Sequence, residues 1–323
     1  MNFKFKKPDM VEEAAKTGGK NIFVEILMFL GVFLVAVILQ NIFFMLAELP
    51  LLSKNTAFQE AISAGDLVTA TEIEMEVITS EPMMIVQLFV TAAMILITCL
   101  FCKLIQKRKM RTLGYKKPNM WKEYGIGLLV GLGMMTAIVL VGVITGSMSL
   151  EFNSEAFTGA GLGTLGLIFV GFLLQGMSEE VLCRGYFLVS LARKKGNVWL
   201  GIIVSSLAFG ALHLGNAGIA PLAFVNLVLF GIFAGVYFIQ RGNIWGIAAI
   251  HSIWNFAQGN IFGVLVSGND FGTTVFTSNI NENLTIINGG DFGLEGGILT
   301  TIVMVAGIVI MLQTKQRDVA EER

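Results

Sequence analysis

Six polar residues occur inside long apolar stretches of the chain, where polar and ionisable side chains are costly and usually serve a function. They are Glu179, Glu180, Arg184, His213, His251 and Asn255. The chain has only 2 histidines, and both belong to this set. A carboxylate and a histidine together can activate a water molecule, and hydrogen-bond donors opposite them can hold an oxyanion. The residue types therefore indicate hydrolysis of an acyl bond, with a peptide as the expected substrate.

The spacing of the charged residues at 179–184 predicts different roles for them. Glu180 and Arg184 are one helical turn apart, with the acid on the N-terminal side, which is the favourable order for a helical ion pair. We expect this pair to be a structural salt bridge. Glu179 points about 100° away from Glu180 on a helix, so it can face a cavity without an arginine partner. Such a carboxylate suits the work of a general base.

His251 and Asn255 are also one turn apart, so they share one helix face. Both side chains could donate hydrogen bonds to a developing oxyanion. Without His251, an interhelical hydrogen bond would be the simpler role for Asn255. Ser178 and Cys183 are the candidate nucleophiles for a covalent mechanism. Neither has a histidine one turn away, so the spacing favours activated water.

A catalytic metal is an alternative way to activate that water. Glu179, His213 and His251 would supply three ligands of a zinc site with an open fourth position. The sequence lacks the His-Glu-x-x-His pattern of many zinc peptidases, so a metal site would depend on the fold alone. At the level of residue types, both possibilities stay open.

The composition indicates what kind of protein carries these residues. Apolar residues make up 54% of the 323 residues, charged residues only 14%, and the mean hydropathy is +0.74. These values exclude an ordinary cytosolic enzyme and a disordered chain. A net charge of -1 gives no electrostatic reason to expect nucleic acid. Cys99, Cys102 and Cys183 lie in apolar segments and are expected to be inert.

Apolar segments long enough to cross a bilayer predict an all-α polytopic transmembrane bundle of about eight spans. The predicted spans are 22–47, 84–103, 124–147, 164–192, 198–214, 221–240, 244–266 and 296–313. The acidic stretch 57–80 suggests a short surface helix, and 267–295 suggests a flexible or lightly structured connector. Gly127 with Gly131, and Gly231 with Gly235, are spaced to let helices approach closely.

Loop charges predict the orientation of these spans by the positive-inside bias. The stretch 103–122 is basic and contains no acidic residue, whereas 48–83 is strongly acidic. The first stretch is therefore placed in the cytoplasm and the second outside. The other loops agree, with Arg193, Lys194, Lys195 and Arg241 inside and Glu151, Glu155, Asp270, Asp291 and Glu295 outside. Both termini are then cytoplasmic.

Counting residues from the cytoplasmic charges gives the depth of the polar side chains. At about 1.5 Å per helical residue, Glu179, His213 and His251 lie roughly 21, 24 and 15 Å deep. Three helices thus bring polar groups to similar levels of a hydrocarbon core about 30 Å thick. This convergence predicts one shared polar cavity inside the membrane.

The motifs together resemble a known family, the CAAX protease and bacteriocin-processing (CPBP, or Abi) intramembrane proteases, relatives of the type II CAAX prenyl proteases. The motifs are Glu179-Glu180-x-x-x-Arg184, Phe209-x-x-x-His213 and His251-x-x-x-Asn255, in this order. Two flanking stretches agree with it, Leu113-Gly114-Tyr115-Lys116-Lys117 and Arg241-Gly242-Asn243-Ile244-Trp245. The resemblance covers about 110–260.

This resemblance implies a fold and a set of roles. It implies eight helices and a site that opens laterally and toward the cytoplasm. Glu179 and His213 would activate the water, and His251 and Asn255 would bind the oxyanion. The eukaryotic prenyl-protein members resemble glutamate-dependent enzymes, so a site without cofactor is favoured and zinc is the alternative.

Three regions follow from the motif positions. Residues 1–110 hold the N-terminal cytoplasmic segment, two spans and the acidic outer loop. Residues 111–265 are the predicted CPBP-like catalytic core. Residues 266–323 hold the outer connector, the last span and a cytoplasmic tail.

We therefore predict a multi-pass protein of a bacterial cell membrane that hydrolyses a peptide bond in a hydrophobic or membrane-associated peptide. Membrane lipids and that substrate are its expected partners. One alternative is a non-catalytic membrane partner, such as a bacteriocin-immunity or assembly factor that keeps the fold. An ion or proton pathway is less expected, because no chain of acids crosses the predicted spans.

Overall fold

A computed structural model describes residues 6–195, 197–314 and 316, and these residues are overwhelmingly helical. The α-helices of this part of the chain are α1 (Asp9–Ala15), α2 (Ile22–Lys54), α3 (Thr56–Ala64), α4 (Leu67–Thr79), α5 (Glu81–Val90), α6 (Ala92–Leu100), α7 (Met120–Ile144), α8 (Gly159–Glu180), α9 (Val189–Lys195), α10 (Val198–Leu212), α11 (Pro221–Arg241), α12 (Trp245–Phe256), α13 (Thr285–Asn288) and α14 (Ile298–Gln313).

Other backbone forms extend or connect these helices. The π-helical segments Phe101–Ile105, Val181–Leu188 and Ala257–Ile261 continue α6, α8 and α12. Short 3₁₀ turns occupy Met110–Leu113, Ser154–Phe157, Glu282–Leu284, Gly290–Phe292 and Leu294–Gly296. The strands are β1 (Met148–Phe152) and β2 (Phe276–Ile280).

The helical bundle confirms the predicted fold class of a multi-pass membrane protein. Among the described residues, five helices are long and apolar enough to cross a bilayer: Ile22–Lys54, Glu81–Ile105, Met120–Ile144, Gly159–Lys194 and Pro221–Arg241. Two shorter apolar helices, α10 and α14, match two more predicted spans. The remaining predicted span, 244–266, corresponds to α12 and its π-helical continuation, and it ends earlier, at Ile261.

Segments that the charge pattern places on the cytoplasmic side contact one another. The guanidinium group of Arg108 is buried and donates to the carbonyl oxygens of Gly185 and Tyr186 in the π-helical segment after α8, at 2.9 and 3.2 Å. Burial lowers the pKa of Arg108 to about 10, so it stays charged at neutral pH. Arg193 pairs with Glu25 of α2 at 2.9 Å. These contacts hold the end of the helix that carries Glu179.

The orientation itself, with this side in the cytoplasm, stays a prediction from the loop charges. Residues 1–5 of the predicted N-terminal cytoplasmic segment and residues 317–323 of the predicted tail lie outside the described residues.

The two stretches that flank the motifs meet in space. The backbone N–H of Ile244 donates to the carbonyl oxygen of Gly114 at 3.1 Å, and the indole N–H of Trp245 donates to that of Lys116 at 2.6 Å. Gly114 has a φ of 88°, a conformation that favours glycine. These hydrogen bonds fix the start of α12, the helix that carries His251 and Asn255.

Close helix packing at glycines brings α7 and α11 against their neighbours, as the sequence predicted. A Cβ atom built on Gly127 of α7 would lie 2.2 Å from the carbonyl oxygen of Gly246 in α12. A Cβ on Gly231 of α11 would lie 2.7 Å from the Cβ of Ser206 in α10. The glycines therefore let these pairs of helices approach to backbone contact.

The segment 267–295 has more regular structure than the predicted connector. Strand β2 pairs antiparallel with β1, and Met148 lies opposite Ile280 and Phe152 opposite Phe276. The prediction of a flexible or lightly structured 267–295 was wrong in this respect. The acidic stretch 57–80 likewise forms two helices, α3 and α4, separated by Gly65 in a left-handed conformation.

Gly176 lies where α8 crosses α12, three residues before Glu179. A Cβ there would lie 2.5 Å from the Oγ atom of Ser252 and 2.8 Å from its backbone nitrogen. Gly166, earlier on the same helix, has no such neighbour within 4 Å among the described residues.

We expect Gly176→Ala to lower the free energy of unfolding by about 1–3 kcal/mol, because the added methyl group overpacks the helix crossing. The matched control Gly166→Ala should be neutral or slightly stabilising. Thermal unfolding of both variants in detergent micelles measures the difference. Equal unfolding temperatures for the two variants would contradict the close packing of α8 on α12.

Candidate active site

Glu179, His213 and His251 come together from three helices. Glu179 lies near the end of α8, His213 caps the C-terminus of α10, and His251 lies within α12. The Oε2 atom of Glu179 is 3.9 Å from Nε2 of His213 and 3.7 Å from Nε2 of His251. The Glu179 side chain is 22% exposed and that of His251 only 5%. The predicted convergence of these side chains is therefore present in the fold.

Glu180 and Arg184 form a buried ion pair that also holds His251. The Oε1 atom of Glu180 accepts a hydrogen bond from Nη1 of Arg184 at 2.6 Å, and both side chains are fully buried. The same oxygen lies 2.9 Å from Nδ1 of His251. Because a carboxylate only accepts, Nδ1 of His251 carries the proton and donates it to Glu180. Glu180 thus orients the His251 ring and turns its Nε2 atom toward Glu179.

Phe209 of the second motif contacts both Arg184 and His213. The guanidinium carbon of Arg184 lies 4.6 Å from the centroid of the Phe209 ring, within the range of a cation–π interaction. The carbonyl oxygen of Phe209 is 2.8 Å from Nδ1 of His213. A carbonyl oxygen accepts, so His213 also donates from Nδ1 and presents a free Nε2 atom toward Glu179.

Asn255 reaches Glu179 through a residue that sequence reasoning missed. The Nδ2 atom of Asn255 donates to Oε1 of Gln175 at 2.9 Å, and Nε2 of Gln175 donates to Oε1 of Glu179 at 2.6 Å. Gln175 precedes Glu179 by one helical turn, which was the available signal. It was missed because Gln175, unlike Asn255, has no histidine one turn away to draw attention to it. This chain of hydrogen bonds leaves Oε2 of Glu179 without a hydrogen-bond partner among the described residues.

A cavity of about 340 Å³ is bordered by Glu179, His213, His251 and Asn255. Its apolar wall includes side chains of α2, α6 and α11, namely Phe33, Val37, Met94, Leu227 and Phe230. Amide side chains also line it, namely Gln40, Gln87, Gln175, Asn216, Asn226, Asn255 and Asn269. The predicted polar cavity is therefore present, with a largely apolar wall between the polar groups.

The cavity extends toward the loops that the charge pattern places outside. Asn216, Ser267 and Asn269 of these loops line it, whereas its described lining contains no residue of the basic stretch 103–122. His213 terminates α10 at the end remote from Asn197, where that helix starts, which places it beside these loops. The cytoplasmic opening that the resemblance implied stays a prediction.

Glu295 is a further acid in the cavity that the sequence did not single out. It is 9% exposed and lines the cavity. Its Oε2 atom accepts hydrogen bonds from the backbone N–H and the hydroxyl group of Ser267, at 3.0 and 2.6 Å. Burial raises the pKa of Glu295, and these hydrogen bonds act in the opposite direction. It was missed because the loop 267–295 was predicted to be a connector.

The predicted zinc ligands are the same three side chains, Glu179, His213 and His251. Both histidines donate from Nδ1 to an oxygen, an arrangement that also occurs in histidines that bind metals through Nε2. Within the described residues, no group of three or more His, Cys, Asp or Glu side chains has the arrangement of a metal site.

We expect Arg184→Ala and Glu180→Gln each to lower the yield of folded protein, because each leaves a buried partner charge uncompensated. Breaking such a pair costs about 3–5 kcal/mol. Size-exclusion profiles and thermal unfolding of the purified variants measure this loss. Removal of an exposed cation in Lys122→Ala is the control and should change stability by about 0.5 kcal/mol or less. Normal folding with lost turnover in both variants would instead make the pair catalytic.

Comparison with known proteins agrees with the motifs. Residues 161–257 match the family described as type II CAAX prenyl endopeptidase Rce1-like. The matched segment contains all seven residues named in the three motifs and lies within the predicted core 111–265. The match confirms the resemblance to the CAAX proteases. Comparisons with curated proteins and with solved structures gave no match.

Proposed function

From this CAAX-protease-type core, we propose that the protein is an intramembrane endopeptidase in which Glu179 activates a water molecule. The observation that carries the proposal is the position of Glu179, with Oε2 unbonded and facing the Nε2 atoms of two histidines inside a cavity. Glu179 accepts the proton of the water as its oxygen attacks the peptide carbonyl carbon. The protonated carboxyl group then returns that proton to the leaving amine.

His213 is proposed to position the attacking water together with Glu179. Its Nε2 atom is too far from Glu179 for a direct hydrogen bond, at 3.9 Å. A water molecule with hydrogen bonds of about 2.8 Å to both atoms fits this separation. Because the Phe209 carbonyl oxygen holds Nδ1–H, Nε2 of His213 is the acceptor on this side.

His251 and Asn255 are proposed to hold the oxyanion of the tetrahedral intermediate. Since Nδ1 of His251 donates to Glu180, a second proton on Nε2 makes the ring a cation, which the Glu180 carboxylate stabilises. Asn255 donates one amide hydrogen to Gln175 and has a second available for the intermediate. Two donors, each held in place by a hydrogen bond to a neighbouring side chain, match what an oxyanion site requires.

The proposed substrate is a hydrophobic or membrane-associated peptide, since the wall of the cavity is apolar and the chain is a multi-pass membrane protein. The proposed location is a bacterial cell membrane, with both termini in the cytoplasm. No cofactor is proposed for this mechanism, and a zinc-dependent version of it is the alternative.

We expect Glu179→Ala and His213→Ala to lower peptide cleavage by about 100- to 10,000-fold, the range for loss of a general base. Mass spectrometry of a hydrophobic peptide library, incubated with purified protein, measures activity and cleavage position together. Glu155→Gln removes an exposed carboxylate and is the control that should cleave normally. Retained activity in both variants would exclude this mechanism and favour a non-catalytic membrane partner.

We expect strong chelators to leave the purified activity intact, because the mechanism uses a carboxylate as base, and elemental analysis to find no stoichiometric zinc. Activity measured before and after dialysis against chelator tests this. Full loss of cleavage that added zinc restores would assign Glu179, His213 and His251 as zinc ligands instead.

A further inference from the structure

The cavity contains a buried carboxylate that the proposed hydrolysis does not use. Glu295 stands just before α14, outside the matched segment, and lines the same cavity as Glu179. Its Oε2 atom takes both hydrogen bonds from Ser267, and no described residue donates to its Oε1 atom. A buried acid without a lysine or arginine partner is costly, so its presence in a cavity calls for an explanation.

Hydrogen bonds from a buried side chain fix the backbone at Glu295. The side-chain amide of Asn226, in α11, donates to the backbone carbonyl oxygens of Glu295 and Gly297 at 2.8 Å each. Asn226 is 1% exposed, and its Oδ1 atom accepts from the hydroxyl group of Thr301 at 2.6 Å. The carboxylate of Glu295 is therefore fixed from both its backbone and its side chain.

The side chains that line the cavity include no permanent cation. Its described lining contains the acids Glu179 and Glu295 and the histidines His213 and His251, but no lysine or arginine. Burial raises the pKa of Glu295, whereas the two histidines lower it and so favour its carboxylate form. The nearby Arg184 is paired with Glu180 and does not line the cavity. Aromatic side chains, including Phe172, Phe271 and Trp254, complete the wall and add faces that attract cations.

We propose that Glu295 is a specificity residue that binds a positively charged nitrogen of the substrate, either a lysine or arginine side chain or a free N-terminal amine. This inference rests on the proposed function and narrows its substrate class. The same carboxylate disfavours a substrate that places an acidic group in this part of the cavity. The bound cation compensates the buried charge of Glu295, which gives the attraction its strength.

The test compares short peptides of Ala, Leu and Val that differ at one position, which is lysine, norleucine or glutamate. Further peptides carry a free or an acetylated N-terminus, to distinguish a side chain from an amine. With wild-type protein, we expect kcat/KM for the preferred cationic peptide to exceed that for its neutral partner by about tenfold or more. In Glu295→Gln this ratio should fall to near one.

Two controls separate this role from a structural one. Glu282→Gln removes an exposed carboxylate of the same outer region and should keep the ratio. Ser267→Gly removes the hydroxyl donor but leaves the charge of Glu295, so the preference for the cation should persist. If Glu295 only holds the turn at Ser267, the ratio will respond to Ser267→Gly as it does to Glu295→Gln.

Peptide binding to an inactive variant tests the role of Glu295 independently of turnover. In Glu179→Gln, the fluorescence of Trp254, which lines the cavity, reports binding of the lysine and norleucine peptides. We expect about tenfold tighter binding of the cationic peptide, and loss of that difference in Glu179→Gln/Glu295→Gln. Equal affinities would overturn the role of Glu295, even where the wild type cleaves peptides. If the inactive variant binds the cationic peptide tightly but the wild type cleaves no peptide, the proposed hydrolase function is wrong. The proposal that Glu295 binds a cation then still stands.

Discussion

One oxygen atom, Oε1 of Glu180, organises the polar centre of this protein. It accepts from the Arg184 guanidinium at 2.6 Å and from the His251 ring at 2.9 Å, in a region from which solvent is excluded. In a low-dielectric interior such hydrogen bonds are strong, and the loss of one partner leaves a costly buried charge. The arrangement therefore has essentially one geometry. It joins α12 to the chain of α8 and sets the direction in which His251 points.

The other contacts of the site depend on this pair. Arg184 faces the ring of Phe209, whose carbonyl oxygen in turn orients His213. On the neighbouring face of α8, Gln175 joins Glu179 to Asn255. Gly176 allows α8 to approach α12 closely enough for both sets of hydrogen bonds to form. A buried network around Glu180 and a cavity-facing network around Glu179 thus share the same two helices and lie on different helix faces.

The motif pattern predicted the site better than it predicted the surroundings. The spacing of Glu179, Glu180 and Arg184 was sufficient to separate a structural pair from a free acid, because a helix fixes which residues share a face. Local patterns could not identify Gln175, since an amide in an apolar helix is common and its partners come from another helix. They also could not identify Glu295, whose surroundings depend on Ser267 and Asn226. The pairing of β2 with β1 was missed for the same reason, since the partner strand is remote in sequence.

The amino-acid sequence by itself determined that this is a helical membrane protein, where its spans lie and which few polar residues interrupt them. Those properties follow from composition and periodicity, which the chain carries before it folds. Only the tertiary structure decided which atoms of these residues face each other, and that one cavity extends from Glu179 to Glu295. Contacts between helices depend on how closely their backbones approach and at which register, and no single helix contains that information.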